Sequence, residues 1–248
     1  MVDLIDTWAE ACVGYQYELG EHWIDPVRTE SHKGRPTTYQ YFRRNSFNMH
    51  ASLRIATPAD ASRIRSIYTP YVESTAITFE TEAPTTEEMT ERIEQSHEQY
   101  PWIVCETENE GVVGYATASS LRSKAAYAWA VELTVYVDDD AQQSGVGTAL
   151  YTSLLEILRE QGYVDAYAAV TLPNPASVRL HENFAFEPVG TFPAAGYKQE
   201  SWRDVQWWHR QLGDRPGDPE PPTPMRAIRD SPVLEAALRT GEASLREE

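Results

Sequence analysis

The segment that most constrains the fold of this chain is Gln142-Gln143-Ser144-Gly145-Val146-Gly147, which lies between a predicted strand and a predicted helix. Residues 129–137 before it are rich in β-branched and apolar side chains, as a strand requires. After it, four aliphatic residues recur at the spacing of one helix face: Leu150, Leu154, Ile157 and Leu158. Alternate glycines let the backbone turn tightly, so unpaired amides at the helix start can point at a phosphate group. A plain strand-to-helix turn would use the same residues.

Predicted strands and helices are mixed along the rest of the chain. The predicted strands are 53–56, 102–106, 112–118, 129–137, 163–171, 186–192 and 204–210. Helices are predicted after Thr57, after Thr85, which forms a capping box with Glu88, and over 146–161 and 176–183. An antiparallel run therefore comes first and a strand-helix-strand unit follows. This order predicts an α+β (mixed α/β) fold.

The domain organisation follows from where this pattern begins and ends. Residues 1–48 are rich in aromatic residues without sustained periodicity, and Met49 is an alternative start, so this part is interpreted as an N-terminal extension. Residues 49–212 form the predicted catalytic domain. Residues 213–248 are predicted to be an acidic, proline-rich linker followed by a short helix from Pro232 to about Arg246. Because neither end shows a motif, a chain of residues 49–212 is expected to fold and keep most activity.

Charge and composition limit the kinds of partner that this chain is expected to bind. The net charge of −17 would repel nucleic acid and anionic membranes, so neither is an expected partner. Cys12 and Cys105 have neither the number nor the spacing for disulfides or a zinc site, which indicates a reducing compartment and no metal. Without a long apolar run or a leader, the chain is expected to be soluble and cytoplasmic. The excess of acidic residues is typical both of proteins in a salt-rich cytoplasm and of ordinary acidic proteins.

A second motif follows the glycine segment one strand later. It consists of Asn174, Ser177, Leu180, His181, Phe184, Ala185 and Phe186. With Glu132 on the preceding strand, the two motifs in this order resemble the GCN5-related N-acetyltransferase (GNAT) superfamily. Further segments narrow the resemblance to its phosphinothricin acetyltransferase branch: Phe79-Glu80-Thr81, residues 126–137, residues 172–178, Leu180-His181-Glu182, Gly196-Tyr197-Lys198 and Trp202-Arg203-Asp204-Val205. Ala185 departs from the family, where glycine is usual.

The resemblance implies a fold and an activity. The implied GNAT fold has a central, mostly antiparallel mixed sheet flanked by helices, with a splayed strand pair that receives acetyl-CoA. The implied reaction moves the acetyl group from acetyl-CoA to the amino group of a small amino-acid-like substrate, such as phosphinothricin or methionine sulfoximine or sulfone. Members of the branch are typically homodimers. Two alternatives remain: a peptide or protein N-terminal acetyltransferase, and a non-catalytic CoA-binding regulatory module.

Two residues are expected to carry the chemistry. An ammonium group must lose a proton before it attacks a thioester, and Glu132 is the candidate base. Alternation along the strand places it opposite Val131 and Leu133, so a partly apolar cleft would raise the pKa of its carboxyl. His181 stands where many superfamily members have a tyrosine and is the candidate proton donor to the CoA thiolate. The alternatives are a solvated strand acid and a helix-capping or core histidine.

The remaining candidate site residues fall into two groups. Those implied to bind acetyl-CoA are Val135, Tyr136, Val137, Gln142, Gln143, Ser144, Gly145, Val146, Gly147, Thr148, Asn174 and Ser177. Those implied to bind the acceptor are Phe79, Arg122, Lys124, Tyr127, Trp129 and Tyr197. Asn174 is also a natural turn residue beside Pro173 and Pro175. Ala128 and Ala130 stand where the branch often has larger or polar residues.

Overall fold

A computed structural model describes residues 51–245, whose strands form one seven-stranded sheet. The strands are β1 (Ala51–Ile55), β2 (Trp102–Thr107), β3 (Gly111–Ser120), β4 (Ala130–Val137), β5 (Asp165–Thr171), β6 (Glu187–Lys198) and β7 (Ser201–Gln211). The helices are α1 (Ala61–Ser74), α2 (Thr86–Gln99), α3 (Val146–Glu160), α4 (Pro175–Asn183), α5 (Met225–Ile228) and α6 (Pro232–Ser244). The mixed α+β architecture expected from the sequence is confirmed.

The strand order is β1-β2-β3-β4-β5-β7-β6, and neighbouring strands run antiparallel except β4 and β5. That parallel pair is joined through α3, as the strand-helix-strand pattern predicts. Its pairing is short, because only residues 130–132 face residues 165–167. β4 continues to Val137 against β3 alone, so the two strands diverge after Glu132 and leave a gap in the sheet.

Helix boundaries agree with local capping chemistry. The hydroxyl of Thr85 accepts the Glu88 amide at 3.1 Å, and the Glu88 carboxylate accepts the Thr85 amide at 2.7 Å. This reciprocal pair is the capping box that the sequence predicts at the start of α2. α3 begins differently, because its N-cap, Gly145, has a φ of +83° and offers no side chain to its amides. Those amides are therefore available to an outside acceptor.

Two apolar layers cover the two faces of the sheet. One face packs against α3, whose Leu150, Leu154 and Leu158 are fully buried. The other face packs against α1 and α2 through residues such as Ile64 and Ile93. Burial on this scale, at about 25 cal/mol per Å² of apolar surface, is the main force that holds β4 and α3 in place around the gap.

Residues after Leu212 pack against the same body, although the sequence indicates no packing role for them. Met225, Leu234 and Ala237 are buried at 1%, 4% and 5% exposure in the core beside α3. The Glu242 carboxylate also accepts the Leu53 amide at 2.8 Å. The sequence hides this role because the proline-rich stretch before α5 has no periodicity, and the contacts that fix it come from distant strands and helices.

The interpretation of residues 1–48 as an extension, and of Met49 as an alternative start, lies outside the described residues. Among the helices within residues 51–245, none combines the length and the apolar character needed to cross a membrane.

Candidate active site

A cleft of about 1230 Å³ opens where β4 and β5 diverge. Its walls come from the β4 strand, the segment before α3, the α4 helix and the loop between α1 and α2. The predicted residues that line it are Phe79, Glu132, Val135, Tyr136, Val137, Gln142, Gln143, Gly145, Gly147, Thr148, Asn174, Ser177 and His181. The structure therefore brings both candidate catalytic residues and most candidate cofactor residues to one site.

The glycine segment forms a turn that lines the cleft. Gln143 and Gly145 both have positive φ, at 61° and 83°, which makes the turn tight. A Cβ on Gly147 would meet only Val137, at 3.8 Å, so the space on the cleft side of this residue is open. Ser144 and Val146 do not line the cleft. The Ser144 hydroxyl donates to the Ala141 carbonyl, and Val146 is buried at 1% exposure.

Glu132 lies at the point where β4 and β5 separate. Burial raises the pKa of its carboxyl above the ordinary value, and the positive charge of Arg122 opposes that rise. The neighbouring Val131 and Leu133 are buried toward α3, which confirms the predicted alternation of the two strand faces. A carboxyl in this setting holds a proton more readily than a surface acid, as a general base near neutral pH must.

His181 is buried, at 3% exposure, and both of its ring nitrogens have partners. Nδ1 lies 2.7 Å from the Ser177 carbonyl oxygen, and Nε2 lies 2.9 Å from the Tyr151 hydroxyl. A carbonyl only accepts, so Nδ1 carries the proton and Nε2 accepts from Tyr151. Burial lowers the pKa of His181 and raises that of Tyr151. The imidazole is neutral near pH 7, and the Tyr151 hydroxyl is its proton-bearing neighbour in the cleft wall.

Sequence reasoning missed Tyr151. Its aromatic ring sits in the buried stripe of α3, where it matches the helical pattern of core residues. Its ring also meets His181 edge to face with centroids 5.5 Å apart. A hydroxyl at 1% exposure requires a hydrogen-bond partner, but this burial is visible only in the structure.

Asn174 and Ser177 hold the start of α4. The Asn174 side-chain oxygen accepts the Ser177 amide at 3.1 Å, which caps the helix. Both residues line the cleft as well. The structural and the cofactor-binding roles of Asn174 are therefore compatible, because its amide nitrogen makes no contact in this cap.

The residues implied to bind the acceptor are divided between two places. Phe79 lines the main cleft, while Arg122 and Tyr127 line a neighbouring depression of about 280 Å³. Phe192 and Trp207 border both spaces and were not predicted as site residues. The guanidinium of Arg122 lies over the Trp207 ring, 5.4 Å from its centroid.

Lys124, Trp129 and Tyr197 line neither space. Lys124 is exposed, and Tyr197 is 60% exposed with its ring against Trp202. The Trp129 indole donates to the Glu220 carbonyl oxygen at 2.8 Å. The structure therefore does not bring these three predicted residues into the wall of the cleft.

The loop that carries Phe79 is fixed from both sides. Lys198 donates to the Thr78 and Glu80 carbonyl oxygens at 2.8 and 2.7 Å. Arg92 of α2 makes a bidentate pair with the Glu80 carboxylate at 2.9 and 3.2 Å. Within the described residues, no group of three or more His, Cys, Asp or Glu side chains is arranged to hold a metal ion.

Comparisons with known proteins agree with this geometry. Residues 53–207 match the family described as "Acetyltransferase (GNAT) domain". A phosphinothricin N-acetyltransferase from Streptomyces viridochromogenes is 41% identical over 177 residues, which cover 71% of this chain and 95% of the relative. An L-methionine sulfoximine/L-methionine sulfone acetyltransferase from Pseudomonas aeruginosa is 33% identical over 165 residues, 66% of this chain and 96% of the relative.

A solved structure extends the comparison to the cofactor. It is a GNAT superfamily phosphinothricin acetyltransferase from Sinorhizobium meliloti in complex with acetyl-CoA. It is 32% identical, with a TM-score of 0.65, and the match covers 69% of this chain and 92% of that one. The fold and the site define an acyltransferase that uses acetyl-CoA. The chain belongs to the GNAT acetyltransferase family.

Proposed function

We propose that this enzyme transfers the acetyl group of acetyl-CoA to the amino group of a small amino acid of the phosphinothricin or methionine sulfoximine and sulfone type. The observation that carries the proposal is Glu132, a half-buried carboxylate with a raised pKa at the point where β4 and β5 separate. The relatives named for those acceptors support the choice of substrate class.

In this proposal Glu132 is the general base. An α-amine with a pKa of about 8 is mostly protonated at neutral pH and cannot attack until a proton is removed. Glu132 takes that proton, directly or through a water, and the freed lone pair attacks the thioester carbon. Arg122 lowers the cost of keeping the carboxylate charged, so Glu132 is ionised often enough to act.

Acetyl-CoA is proposed to bind in the gap between β4 and β5. Acetyl-CoA supplies the activated acetyl group when it is bound. In an antiparallel ladder alternate amides point away from the partner strand, so amides of β4 beyond Glu132 face the gap instead of β5. Those near Leu133 to Val135 are proposed to stabilise the oxyanion, and the amides at the start of α3 to bind the pyrophosphate.

His181 and Tyr151 are proposed to act together at the departing thiolate. Direct donation from His181, as expected from the sequence, would need a proton on Nε2, which accepts from Tyr151 in this structure. The neutral imidazole therefore orients the Tyr151 hydroxyl. As the C–S bond breaks, its electron pair leaves on the sulfur, and this hydroxyl turns its hydrogen bond toward the thiolate so formed.

Acceptor recognition is proposed to come from the side of the cleft opposite the pyrophosphate turn. Arg122 and Lys124 are the cations that would pair with the acceptor's acidic groups, with Tyr127 beside them. Phe79 and the rings of Trp129 and Tyr197 would shape the entrance. Of these six, Phe79 and Arg122 have the strongest structural support, because one lines the cleft and the other acts on the Glu132 charge.

The enzyme is proposed to be a cytoplasmic homodimer, with its catalytic domain in residues 49–212. Support for the dimer comes from exposed apolar side chains on and beside the β6–β7 hairpin, where Val189, Phe192 and Trp202 are 58%, 55% and 64% exposed. Sedimentation equilibrium of the full chain tests the dimer, and a mass equal to one chain across micromolar concentrations would contradict it.

The test of the function is an acetyl-CoA turnover screen in low and high salt. The acceptors are phosphinothricin, methionine sulfoximine, methionine sulfone, plain amino acids and peptides with a free N-terminus. The proposal expects acetylation of the amino-acid analogues at the highest kcat/KM. Preferential acetylation of peptides would favour an N-terminal acetyltransferase. Binding of CoA without turnover of any acceptor would favour a regulatory module.

A further inference from the structure

One hydrogen bond links the predicted acceptor-binding region to the C-terminal tail. The acceptor segment, residues 121–129, joins β3 to β4 and carries Arg122, Lys124 and Tyr127. The tail linker, residues 213–224, lies beyond residue 207, where the match to the family domain ends. The two segments meet where the Trp129 indole donates to the Glu220 carbonyl oxygen at 2.8 Å.

Backbone hydrogen bonds hold the two ends of the acceptor segment: the Leu121 amide donates to the Ala130 carbonyl oxygen, and the Trp129 carbonyl oxygen accepts the Val164 and Asp165 amides. Arg122 also lies over the Trp207 ring. Residues 122–128 are all exposed. The amide hydrogen bonds of the segment at Tyr127 and Ala128 are local, to Lys124 and Ala125. Among the hydrogen bonds of the described residues, the one to Glu220 is the only side-chain bond that leaves this segment. At the β4 end of the segment, the Trp129 side chain therefore adds a tether to the tail linker beside the backbone hydrogen bonds of Trp129.

The tail linker is a suitable fixed support. Pro219, Pro221 and Pro222 restrict their own φ angles, and a residue before proline is held extended, so Glu220 presents its carbonyl at a defined place. Each end of the linker is tied to the body. Arg215 pairs with Asp165 before the prolines, and after them Thr223 donates to the Gln161 carbonyl at 2.7 Å and accepts the Gln161 side-chain amide at 2.8 Å.

We propose that the tail linker is part of the acceptor-binding apparatus, with Trp129 as a positioning residue that holds the acceptor segment against the Glu220 carbonyl. This inference rests on the proposed function, because the segment is assigned to the acceptor there. The tail then tunes affinity for the amino acid while leaving the acetyl-CoA site, at the C-terminal end of β4 and the start of α3, unaffected. Specificity in this enzyme depends on residues outside the shared catalytic domain.

The first test is Trp129→Phe in the full chain, which keeps an aromatic ring and removes the indole donor. Loss of one hydrogen bond of ordinary strength predicts a rise of about three- to tenfold in KM for phosphinothricin or methionine sulfone. The KM for acetyl-CoA should stay within about twofold of the wild type, because the residues proposed to bind acetyl-CoA lie outside the acceptor segment. An unchanged acceptor KM would overturn the inference.

A second variant loosens the linker while retaining α5 and α6: Pro219→Gly, Pro221→Gly and Pro222→Gly together. It should raise the acceptor KM by a similar factor, and adding Trp129→Phe to it should have little further effect, because both changes break the same link. Full additivity of the two effects would contradict the link. Ser231→Ala is the control, since it removes the α6 cap and lowers the melting temperature without touching the linker, and its acceptor KM should not change.

Hydrogen exchange separates this inference from the proposed function. Amides of residues 122–128 should exchange faster in Trp129→Phe and in the linker variant than in the wild type or Ser231→Ala. This measurement needs no substrate. If the wild type acetylates no amino acid but exchange rises as expected, the positioning role stands and the acceptor assignment fails. Equal exchange in all four proteins would overturn the positioning role itself.

Discussion

The Tyr151 hydroxyl and His181 Nε2 lie 2.9 Å apart beneath the cleft, although 30 positions separate them in the chain. The Ser177 carbonyl fixes the imidazole tautomer from the other side. The pair is buried, so each partner would be left unsatisfied without the other, at a cost of about 1–3 kcal/mol. The pair can therefore be tested by substituting either Tyr151 or His181.

Tyr151→Phe should therefore lower both activity and stability. It removes the hydroxyl that bonds His181 Nε2 and deprives the thiolate of its proposed hydrogen-bond donor. We expect kcat to fall by about a hundredfold, the lower limit for losing one preorganised hydrogen-bond donor to developing negative charge, while the KM for acetyl-CoA changes little. Steady-state kinetics measure this. A kcat within twofold of the wild type would exclude Tyr151 from the thiolate side of the reaction.

His181 should also make the stability of the protein depend on pH. Burial holds its pKa below the ordinary 6.5, so below that pH the unfolded chain binds a proton that the folded chain does not. Stability is therefore fully present above about pH 6.5 and is lost as pH falls toward the folded-state pKa, by up to about 1.4 kcal/mol per pH unit.

Urea unfolding midpoints of wild type and His181→Asn at several pH values between 7.5 and 5.5 measure this effect. The slope of the unfolding midpoint against pH should be smaller in His181→Asn than in the wild type, whatever the absolute stability of the variant. His97→Asn is the companion variant, because burial lowers the pKa of His97 in the same direction. Identical slopes in wild type and His181→Asn would show that His181 titrates normally in the folded protein.

Glu132→Gln should lower kcat by about a hundredfold to ten-thousandfold, the usual contribution of a positioned base. Acetyl-CoA binding should persist, and activity should recover in part at alkaline pH, where the acceptor amine loses its proton unaided. In the wild type, the acid limb of kcat/KM should lie above pH 4.5, because burial raises the pKa of Glu132 from that value.

The control is Glu91→Gln on the exposed face of α2, which should leave the dependence of kcat/KM on pH unchanged. Near-normal turnover by Glu132→Gln would exclude this residue as the base. A loss of activity without recovery at high pH would indicate a role in binding instead of proton removal.

Gly147→Leu should weaken acetyl-CoA binding selectively. The Cβ itself has room, since its nearest neighbour is Val137 at 3.8 Å, but a longer side chain would enter the cleft beside the amides at the start of α3. We expect the KM for acetyl-CoA to rise by at least about tenfold, with the acceptor KM nearly unchanged. Gly217→Ala, at a position with open space around it, is the control for acetyl-CoA affinity alone, since the tail linker is proposed to act on the acceptor. Unchanged cofactor affinity in folded Gly147→Leu would refute the phosphate-binding role of this turn.

Local patterns in the sequence predicted the part of the site that is formed by neighbouring residues. The turn at Gly145 depends on residues within a few positions, so their spacing reveals it. The alternation around Glu132 likewise reports which strand face it occupies. Tyr151 could not be recognised in this way, since a buried tyrosine on α3 fits the same pattern as a core residue and its partner comes from another helix.

The sequence did not indicate how the ends of the fold pack, because their contacts also come from distant parts of the chain. β6 was predicted to end at residue 192, but it continues to Lys198 past an irregularity between Phe192 and Gly196. Pro193 lies in that irregular stretch, where a missing ladder hydrogen bond is tolerated. The contact between Trp129 and Glu220 spans 91 positions and involves a backbone carbonyl, which no side-chain pattern reports.

The packing of α6 provides the last prediction, Gly241→Ala. Gly241 faces α3 so closely that an added Cβ would collide with the Ser153 hydroxyl and the Ala149 carbonyl oxygen. In a helix without neighbours this change would stabilise by about 1 kcal/mol, because alanine is the better helix former. In this protein overpacking should outweigh that gain and destabilise by about 1–3 kcal/mol. Ala236→Gly on the exposed face of α6 measures how much helix propensity alone changes the stability. Thermal unfolding measures both variants, and a higher melting temperature for Gly241→Ala would show that α6 does not dock on α3 at this distance in solution.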